Sequence, residues 1–374
     1  MKKVIISVTN DLVSDQRINK VANSLISNNF HVLVVGRKFR NSLEINRKYP
    51  IKRFRLLFTK GPLFYAEYNI RLFLFLIFTK ADIYLANDLD TLAANFFASK
   101  IKRKKLVYDS HEYFTQVPEL INRPKVQKIW LRIEKYILPK IKNSYTVCNS
   151  IAEIYSKMYS IEMKVVRNIP NSKINQITDN NETVEKSDEK LSEKKIILYQ
   201  GSVNVGRGIE FVIKSMQYIE NAEFWIIGDG DIKKALEKLT HELNLNQKVI
   251  FFGKIPFENL DNYTSKADLG ISLEENLGLN YFYALPNKIF DYIAAKIPIL
   301  ASNLPEISYI INKYDIGAII NNHDIYEISS KINEILQNEE KIKIWKKNLQ
   351  YAANELKWQN EEIILIEIFN NLYK

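Results

Sequence analysis

Runs of five or six mostly apolar residues alternate along this 374-residue chain with longer segments whose apolar residues recur every three or four positions. The short runs predict buried strands, and the longer segments predict amphipathic helices. Strands that alternate with helices are typical of parallel sheets covered by helices. The first half has five such strands, at residues 4–8, 31–36, 82–86, 105–109 and 145–149. The second half has five more, at residues 196–201, 223–228, 249–253, 268–273 and 297–302.

The two groups of strands predict an α/β protein of two facing Rossmann-like domains, residues 1–170 and 196–345. Between them, residues 171–195 are polar and predict an exposed linker. From about Asn338 the pattern is helical to the end, and we expect residues 346–374 to pack back on the N-terminal domain. Because open parallel sheets bind ligands beyond the carboxyl ends of their strands, we expect the site in a cleft between the domains.

Composition narrows the class of protein. Apolar residues make up 46% of the chain and charged residues 26%, which is typical of globular proteins. The single cysteine, Cys148, allows no internal disulfide and favours a reducing, cytoplasmic compartment. The apolar start of the chain is interrupted by Thr9, Asn10 and Asp11, so it predicts a first strand rather than a signal peptide. The histidines and the cysteine lack metal-ligand spacing, so we predict no metal site.

Positive charge is concentrated in the first half. Residues 1–170 hold 30 lysines and arginines against 13 acidic residues, a balance of +17, whereas residues 171–374 hold 23 against 30, a balance of −7. A basic half suits a phosphate-rich partner, either nucleic acid or an anionic membrane leaflet. Because no known nucleic-acid module is present, we predict peripheral binding of the N-terminal domain to the inner face of the cell membrane, with no nucleic-acid partner.

Two stretches of the basic half combine apolar and basic residues, residues 61–80 and 125–142. The first is richly aromatic, but its unbroken apolar core at 72–78 is too short to span a bilayer. Both suit a helix lying in a membrane interface, and each could equally pack on its own sheet with solvated lysines. In the second stretch the predicted apolar face consists of Val126, Ile129, Trp130, Ile133 and Ile137.

Glycines and cations follow the first strand of the second domain. Gly201, Gly206 and Gly208 surround Arg207 just before an apolar helix. Glycines let a phosphate approach the backbone, and a helix start with a nearby arginine attracts anions. A tight strand-to-helix turn accounts for the same loop equally well.

A second cluster in this domain begins at Pro286, which predicts a helix start. Asn287 and Lys288 fall in the first helical turn, and Asp291 lies one turn further on the same side. Lys288 and the free backbone amides predict an anion site, and Asp291 could accept hydrogen bonds from a ribose diol. An early aspartate that only complements the helix dipole is the alternative.

Polar side chains also follow three strands of the first domain, at one predicted sheet edge. One strand is followed by three titratable side chains, those of Asp109, His111 and Glu112. The second is followed by Asn10, Asp15 and Arg17, and the third by the polar segment 86–91. Catalytic and ligand-binding residues of open sheets lie at this edge. The alternative is a loop cluster whose polar side chains only stabilise their own turn.

Seven of these segments occur in an order that resembles the GT-B-fold glycosyltransferases of family 4, particularly bacterial members that build surface polysaccharides. They are SVTNDLVSDQRINKVANSL, YDSHEYFTQVPEL, VVRNIP, YQGSVNVGRGIE, FWIIGDGD, VIFFGKIP and LPNKIFDYIAAKIPILASNLPEI. The resemblance implies a retaining, metal-independent enzyme that needs no cofactor. Its C-terminal domain would bind a nucleotide sugar, a UDP- or GDP-sugar, and its N-terminal domain a saccharide or lipid-linked acceptor.

The resemblance also implies roles for residues of the second domain. Asp291 matches the acidic residue that binds the donor ribose, with aspartate here where glutamate is usual. Arg207, usually a lysine, would bind the donor phosphates together with Asn287 and Lys288, and Gly201 belongs to the same loop. The loop at Lys254 and Ile255 would contact the base. At two positions the family's charged residue is missing, since Ser202 stands where many members have arginine and Tyr283 where the E-x7-E pattern has its first glutamate.

In the first domain the resemblance places His111 beside the reacting sugar, where it would orient or polarise the sugar. Asn10 and Asp15 stand where the family has a glycine-rich loop near the acceptor or the diphosphate. The same edge would be completed by Arg17, Asp109 and Glu112. Two alternatives stay open, a GT-B-fold epimerase of nucleotide sugars and a non-catalytic binding relative. A dinucleotide-dependent dehydrogenase is disfavoured because no G-x-G-x-x-G follows the first strand.

Overall fold

The computed structural model describes residues 1–13, 15–170 and 194–373. The chain divides into two compact units. The first unit consists of Met1–Asn168, Gly278–Asn280 and Asn360–Lys374, and the second of Ile169–Leu277 and Tyr281–Gln359. The predicted linker, residues 171–195, lies outside the described residues except for its last two positions, of which Lys195 begins a strand.

The first unit is built on a seven-stranded sheet. Its strands are β1 (Lys2–Ser7), β2 (Phe30–Arg37), β3 (Ile51–Phe54), β4 (Ile83–Asn87), β5 (Lys105–Ser110), β6 (Ser144–Thr146) and β7 (Met163–Val165). Its helices are α1 (Gln16–Ser27), α2 (Gly61–Phe78), α3 (Leu89–Lys102), α4 (Pro118–Ile121), α5 (Pro124–Ile137) and α6 (Asn149–Tyr159). The strands are parallel and follow the order β3-β2-β1-β4-β5-β6-β7.

The second unit repeats this architecture with six strands. They are β8 (Lys195–Gln200), β9 (Ala222–Ile227), β10 (Val249–Gly253), β11 (Leu269–Ser272), β12 (Ile299–Ser302) and β13 (Gly317–Ile320). Its helices are α7 (Ile209–Ser215), α8 (Lys233–Glu242), α9 (Phe257–Thr264), α11 (Asn287–Ala294), α12 (Pro305–Tyr314), α13 (Ile325–Gln337) and α14 (Glu339–Glu355). The short α10 (Leu279–Phe282) is divided between the two units, and most of the last helix, α15 (Trp358–Asn371), belongs to the first unit. The strand order is β10-β9-β8-β11-β12-β13, again parallel.

The predicted α/β class with two parallel-sheet Rossmann-like units is confirmed, and each of the ten predicted strands is present. Three short strands were not predicted, namely β3, β7 and β13. Each lies at the edge of its sheet and is only partly buried. β3 and β7 contain polar residues and lack the continuous apolar run that marks a central strand, so the pattern did not reveal them. β13 is a short apolar run, GAII, which this explanation does not cover.

Helix positions follow from local chemistry. The side chain of Asp15 accepts a hydrogen bond from the backbone N–H of Ile18 and so caps α1. α2 buries a stripe of residues four positions apart, Phe64, Tyr68, Leu72 and Leu76, against the first sheet. Pro286 precedes α11, as the prediction of a helix start there required.

The C-terminal segment differs from its prediction in two ways. The helix expected from Asn338 to the end is interrupted at Leu356, whose φ of −92° and ψ of 74° are not helical. In addition, the second unit continues beyond residue 346, the predicted start of the C-terminal segment, since α14 with the buried side chains of Trp345 and Leu349 belongs to it. From Asn360 onward the chain belongs to the first unit again. In this last segment the ring of Phe369 packs on that of Phe30. Buried contacts, which helical periodicity does not specify, decide this division.

The carboxyl ends of parallel strands lie at one edge of each sheet, so the residues that follow them are neighbours. In the first unit these are the residues after β1, β2, β4 and β5, and in the second unit those after β8, β10 and β11. Within the described ranges, no helix is both long enough and apolar enough to cross a bilayer.

Candidate functional site

His111 lies directly after β5 at the carboxyl edge of the first sheet, with a carboxylate on each side of its ring. Nδ1 is 3.3 Å from Oδ2 of Asp88, and Nε2 is 3.1 Å from Oδ2 of Asp109. The backbone N–H of His111 also donates to Oδ1 of Asp88 at 2.8 Å. Both ring nitrogens are therefore engaged by the strand ends of β4 and β5.

This arrangement favours the charged form of the imidazole. Burial by itself lowers the pKa of His111, but the Asp88 and Asp109 carboxylates outweigh burial and raise the pKa to about 9. Burial likewise opposes ionisation of Asp109, whose pKa the Arg17 guanidinium and His111 nevertheless hold at about 2. With a pKa of about 9, the imidazole of His111 is protonated at neutral pH and has no free lone pair to accept another proton.

We expect this ion cluster to make stability depend on pH. The folded pKa of His111, about 9, exceeds its ordinary value of 6.5, so the folded state binds the proton more tightly than the unfolded state. The stabilisation is fully present below pH 6.5 and is lost as the pH rises through 9. It amounts to roughly 2–3 kcal/mol.

Denaturant titrations of the wild type and His111→Gln at pH 6 and pH 9.5 measure this effect. The wild type should lose about 2 kcal/mol more unfolding free energy over that interval than the variant. An equal loss in both proteins would contradict the assignment.

Arg17 and Asp109, both predicted on the acceptor side, form a buried ion pair with each other. Arg17 donates through Nη2 to Oδ1 of Asp109 at 2.7 Å and through Nε to Oδ2 at 3.0 Å. Its Nη1 donates to the backbone oxygen of Val166 at 3.0 Å. Their side chains are 4% and 0% exposed, respectively. The structure therefore gives this pair a supporting position beneath His111 and does not present it to a ligand.

The other predicted acceptor-side residues lie nearer the surface. Asn10 donates through Nδ2 to Asp15, the cap of α1, and its Oδ1 accepts from the backbone N–H of Leu12. Glu112 accepts from Nδ2 of Asn280 at 3.2 Å, within the first unit. Burial, followed by the charge of Asp88, raises the pKa of Glu112 to about 7.

Two carboxylates at this edge were not singled out from the sequence. Asp88 contacts His111 as described, and Asp90 accepts a hydrogen bond from Oγ1 of Thr9. Burial and then the charge of Asp88 raise the pKa of Asp90 to about 7. Both residues belong to the polar strand end at 86–91, so the available signal was the segment itself, which named no particular side chain.

In the second unit, the glycine loop after β8 surrounds Arg207. Gly208 has a φ of +69°, and a Cβ there would lie 2.1 Å from the backbone oxygen of Leu273, so only glycine fits. The Arg207 guanidinium is 5.0 Å from the ring centre of Tyr281. Its Nε is buried and has no hydrogen-bond acceptor among the described residues. A buried N–H without an acceptor favours an anionic ligand.

Lys288, in the first turn of α11, makes a buried contact that the sequence did not suggest. Its Nζ donates to Oε1 of Glu274 at 2.6 Å, and Nη1 of Arg207 is 3.9 Å from the same oxygen. Ser272 donates to the other carboxylate oxygen at 2.6 Å. Burial opposes ionisation of Glu274, but Lys288 outweighs it and lowers the pKa below the usual value. One carboxylate therefore holds two cations, and the three groups keep one net positive charge.

The backbone conformation explains the glycine at position 201. The φ of Gly201 is +138°, which residues with a side chain rarely adopt, whereas a Cβ there would make only an ordinary contact, 3.6 Å, with Cε of Lys288. Glu274 follows β11 in the segment LEEN, and a carboxylate after a buried strand was the signal that could have revealed it.

Asp291 lies one turn beyond Lys288, as predicted, and is oriented by its neighbours. Nε2 of Gln200, the last residue of β8, donates to Oδ2 of Asp291 at 2.8 Å. Oγ1 of Thr264 donates to Oε1 of Gln200 at 2.7 Å, which fixes the amide. Gln200 and Thr264 were not predicted, because nothing in a strand end or a helix end marks them as partners.

The remaining predicted donor residues lie around this edge. Asn287 is exposed as the first residue of α11, Lys254 is exposed after β10, and Ile255 is partly buried. At the two departures from the family, Ser202 is exposed and accepts a hydrogen bond from Tyr199 through its backbone oxygen. Tyr283 is partly buried against Phe282.

The second-unit arrangement can bind a polyanion beside a hydroxyl-rich group. Arg207 and Lys288 supply charge, and the carboxylate of Asp291 can accept hydrogen bonds from hydroxyls. Among residues 1–13, 15–170 and 194–373, no group of three or more histidine, cysteine, aspartate or glutamate side chains could hold a metal ion.

Comparison with known proteins agrees with this chemistry. Residues 180–351, which include Arg207, Glu274, Lys288 and Asp291, match the family described as Glycosyl transferases group 1. An uncharacterized glycosyltransferase of Methanocaldococcus jannaschii, MJ1607, is 30% identical over 132 residues, or 34% of this chain and 32% of that protein. The chain thus spans about a third of the length of the curated relatives that it matches.

Three solved structures share the fold over nearly the whole chain. Sucrose-phosphate synthase from Thermosynechococcus elongatus has a TM-score of 0.80 at 16% identity, covering 100% of this chain and 99% of that one. HepE from Anabaena, in complex with UDP-glucose, has a TM-score of 0.74 at 13% identity, and the match covers 99% of this chain and 100% of HepE. WaaG, a glycosyltransferase involved in lipopolysaccharide biosynthesis, has a TM-score of 0.73 at 14% identity, and the match covers 98% of this chain and 99% of WaaG. The chain therefore has the GT-B fold, and its residues 180–351 match the Glycosyl transferases group 1 family.

Proposed function

We propose that this protein is a retaining hexosyltransferase of glycosyltransferase family 4. It transfers a sugar, without a metal ion, from a UDP- or GDP-sugar to a saccharide or lipid-linked acceptor in the assembly of surface polysaccharide or lipopolysaccharide. The observation that carries the proposal is the cluster of Arg207, Lys288 and Glu274 beside the Gly201 loop. It lies in the segment that matches a glycosyltransferase family. UDP-glucose bound to HepE and the lipopolysaccharide pathway of WaaG support the class of donor and product.

In this proposal the second unit stabilises the leaving group. Negative charge grows on the diphosphate as the bond to the sugar breaks, and Arg207 and Lys288 offset that charge. Lys288 is already held at 2.6 Å from Glu274, so little reorganisation of its side chain is needed. Asp291, oriented by Gln200, accepts hydrogen bonds from the ribose, while Asn287, Lys254 and Ile255 complete the donor contacts.

The first unit, in this proposal, binds the acceptor and stabilises the reacting sugar. The His111 imidazolium, held by Asp88 and Asp109, acts as a fixed positive charge that orients the sugar. Asn10, Asp15 and Glu112 contribute to the acceptor side. We also propose a cytoplasmic location at the inner face of the membrane, supported by the +17 balance of residues 1–170.

A second candidate function is epimerisation of a nucleotide sugar. It is favoured by Asp90 and Glu112, each with a pKa of about 7, because an epimerase needs groups that exchange protons near neutral pH. The two functions differ in their need for an acceptor. An epimerase converts the donor sugar without releasing nucleotide, whereas a transferase releases nucleotide as it forms a new glycosidic bond.

We expect a UDP- or GDP-sugar to raise the unfolding temperature of the protein. A donor at about 100 times its Kd adds about 2.7 kcal/mol of stability, since it binds only the folded state. Asp291→Asn should weaken the binding of that donor about tenfold by removing a charged hydrogen-bond acceptor. Calorimetry measures the unfolding temperature and the affinity for the donor. The matched control is Glu339→Gln, at an exposed position at the start of α14. If no nucleotide sugar in a panel of UDP-, GDP- and ADP-sugars stabilises the wild type, the proposal fails.

A further inference from the structure

α2 is apolar on its outward side as well as on its buried side. Its exposed apolar side chains are separated by seven, four and four positions, which places them on one side of the helix. Their exposed fractions are 59% for Leu63, 61% for Ile70, 48% for Leu74 and 84% for Phe78. A helix that only covered its own sheet would carry polar residues there.

α3 extends the same surface. Ala94 and Ala98 of α3 pack with Tyr68 of α2 on one face of the first sheet, so the outward sides of the two helices point the same way. On that side Phe97 and Ile101 of α3 are exposed. The outer apolar face of the first unit therefore consists of Leu63, Ile70, Leu74, Phe78, Phe97 and Ile101.

The stretch with the more regular basic and apolar pattern, residues 125–142, does not form such a surface. α5 buries Trp130 and Ile137 within the first unit, together with Glu134. Its apolar residues therefore contribute mainly to folding, and only Ile129 among the predicted face is strongly exposed. Of the two alternatives for that stretch, the structure favours packing on the protein.

Charge around the outer apolar face has one predominant sign. Lys60 and Lys80 flank α2, and Lys100 and Arg103 are exposed at the end of α3. The single acidic residue of α2, Glu67, is 2.7 Å from its neighbour Arg71 and accepts hydrogen bonds from two backbone N–H groups. A second copy of the chain would bring like charges together, whereas an anionic lipid surface is complementary.

We propose that the outer apolar face docks on an anionic bilayer, with its aliphatic and aromatic side chains among the upper acyl chains and the flanking lysines at the headgroups. Exposed apolar patches rimmed by basic residues are typical of interfacial binding. The inference rests on the proposed peripheral function and specifies which surface performs it.

Co-sedimentation of the full chain with vesicles tests this assignment. The wild type should bind vesicles of phosphatidylglycerol and phosphatidylethanolamine, and the binding should weaken in high salt and on pure phosphatidylcholine. Ile70→Gln/Leu74→Gln should lower the partition coefficient at least tenfold, because it removes two inserting side chains without adding charge. The matched control is Ile344→Gln/Ile363→Gln, which changes two equally exposed isoleucines on α14 and α15.

Three results would overturn the proposal. They are equal binding by the two double variants, no binding of the wild type to anionic vesicles, and a wild-type dimer that Ile70→Gln/Leu74→Gln converts to a monomer. Nucleotide release from the donor, measured without vesicles, should be the same in wild type and both variants. That readout reports the transferase proposal alone, so failure of one proposal is distinguishable from failure of the other.

Discussion

Replacing Arg17 by alanine is expected to lower the free energy of unfolding by about 3–5 kcal/mol. The substitution leaves the Asp109 carboxylate fully buried without its bidentate partner, and it also removes the donor to Val166. Losing one partner of a buried ion pair is far more costly than losing a surface charge, because the remaining charge cannot be hydrated. The pKa of Asp109, now about 2, should rise.

Denaturant titration measures this loss, and hydrogen exchange of β1 and β5 assigns it to the first unit. Arg132→Ala on α5, where the arginine is exposed, is the matched control and should change stability by about 0.5 kcal/mol or less. The double variant Arg17→Met/Asp109→Leu should be more stable than Arg17→Ala, because the Asp109 carboxylate is no longer buried without its arginine, while His111 keeps its contact with Asp88. If Arg17→Ala instead folds as stably as wild type and only raises the KM for acceptor, Arg17 contacts the acceptor.

Arg207→Ala should reduce the rate of sugar transfer by about 10²–10³-fold while leaving the fold intact. In the proposed donor site, Arg207 is the cation whose buried Nε has no acceptor among the described residues, and its side chain is 25% exposed. The loss should fall mainly on kcat, since the charge that Arg207 offsets is greatest in the transition state. Glu274 keeps its direct contact with Lys288 in this variant, so unfolding should change little.

Release of nucleotide from the donor measures the effect, and thermal denaturation checks the fold. Lys234→Ala, an exposed cation on α8, is the matched control and should retain wild-type kinetics. Arg207→Lys should recover part of the activity, because a lysine supplies the charge without the forked geometry. A transfer rate within threefold of wild type in Arg207→Ala would assign phosphate stabilisation to other groups.

Local patterns were sufficient to predict the central strands and the start of one candidate functional segment. Continuous apolar runs located β1, β5 and β8 because strands buried on both faces admit few polar residues. Pro286 located the start of α11, and hence the helical turn that separates Lys288 from Asp291, through proline's fixed φ. These features depend on residues close in sequence, and so the sequence alone determines them.

Pairings between distant residues could not be read in this way. Arg17 and Asp109 are 92 positions apart, and their contact depends on β1, β4 and β5 being neighbours in the sheet. Arg17 therefore looked like a ligand-binding residue and is a buried partner of Asp109. Glu274 and Gln200 are similar cases, since each acts on a residue of α11 from a different strand end.

Which amphipathic helix keeps an apolar surface was also decided by tertiary structure. The sequence by itself determined a two-unit α/β fold, a basic first half and the segments that carry charge at the strand ends. Packing decided that α5 buries Trp130 whereas α2 leaves Phe78 exposed. It also decided that His111 is held as a cation between Asp88 and Asp109. The physical reason is that periodicity specifies which residues share a helix side or a strand end, while burial and ion pairing depend on what the rest of the chain places opposite them.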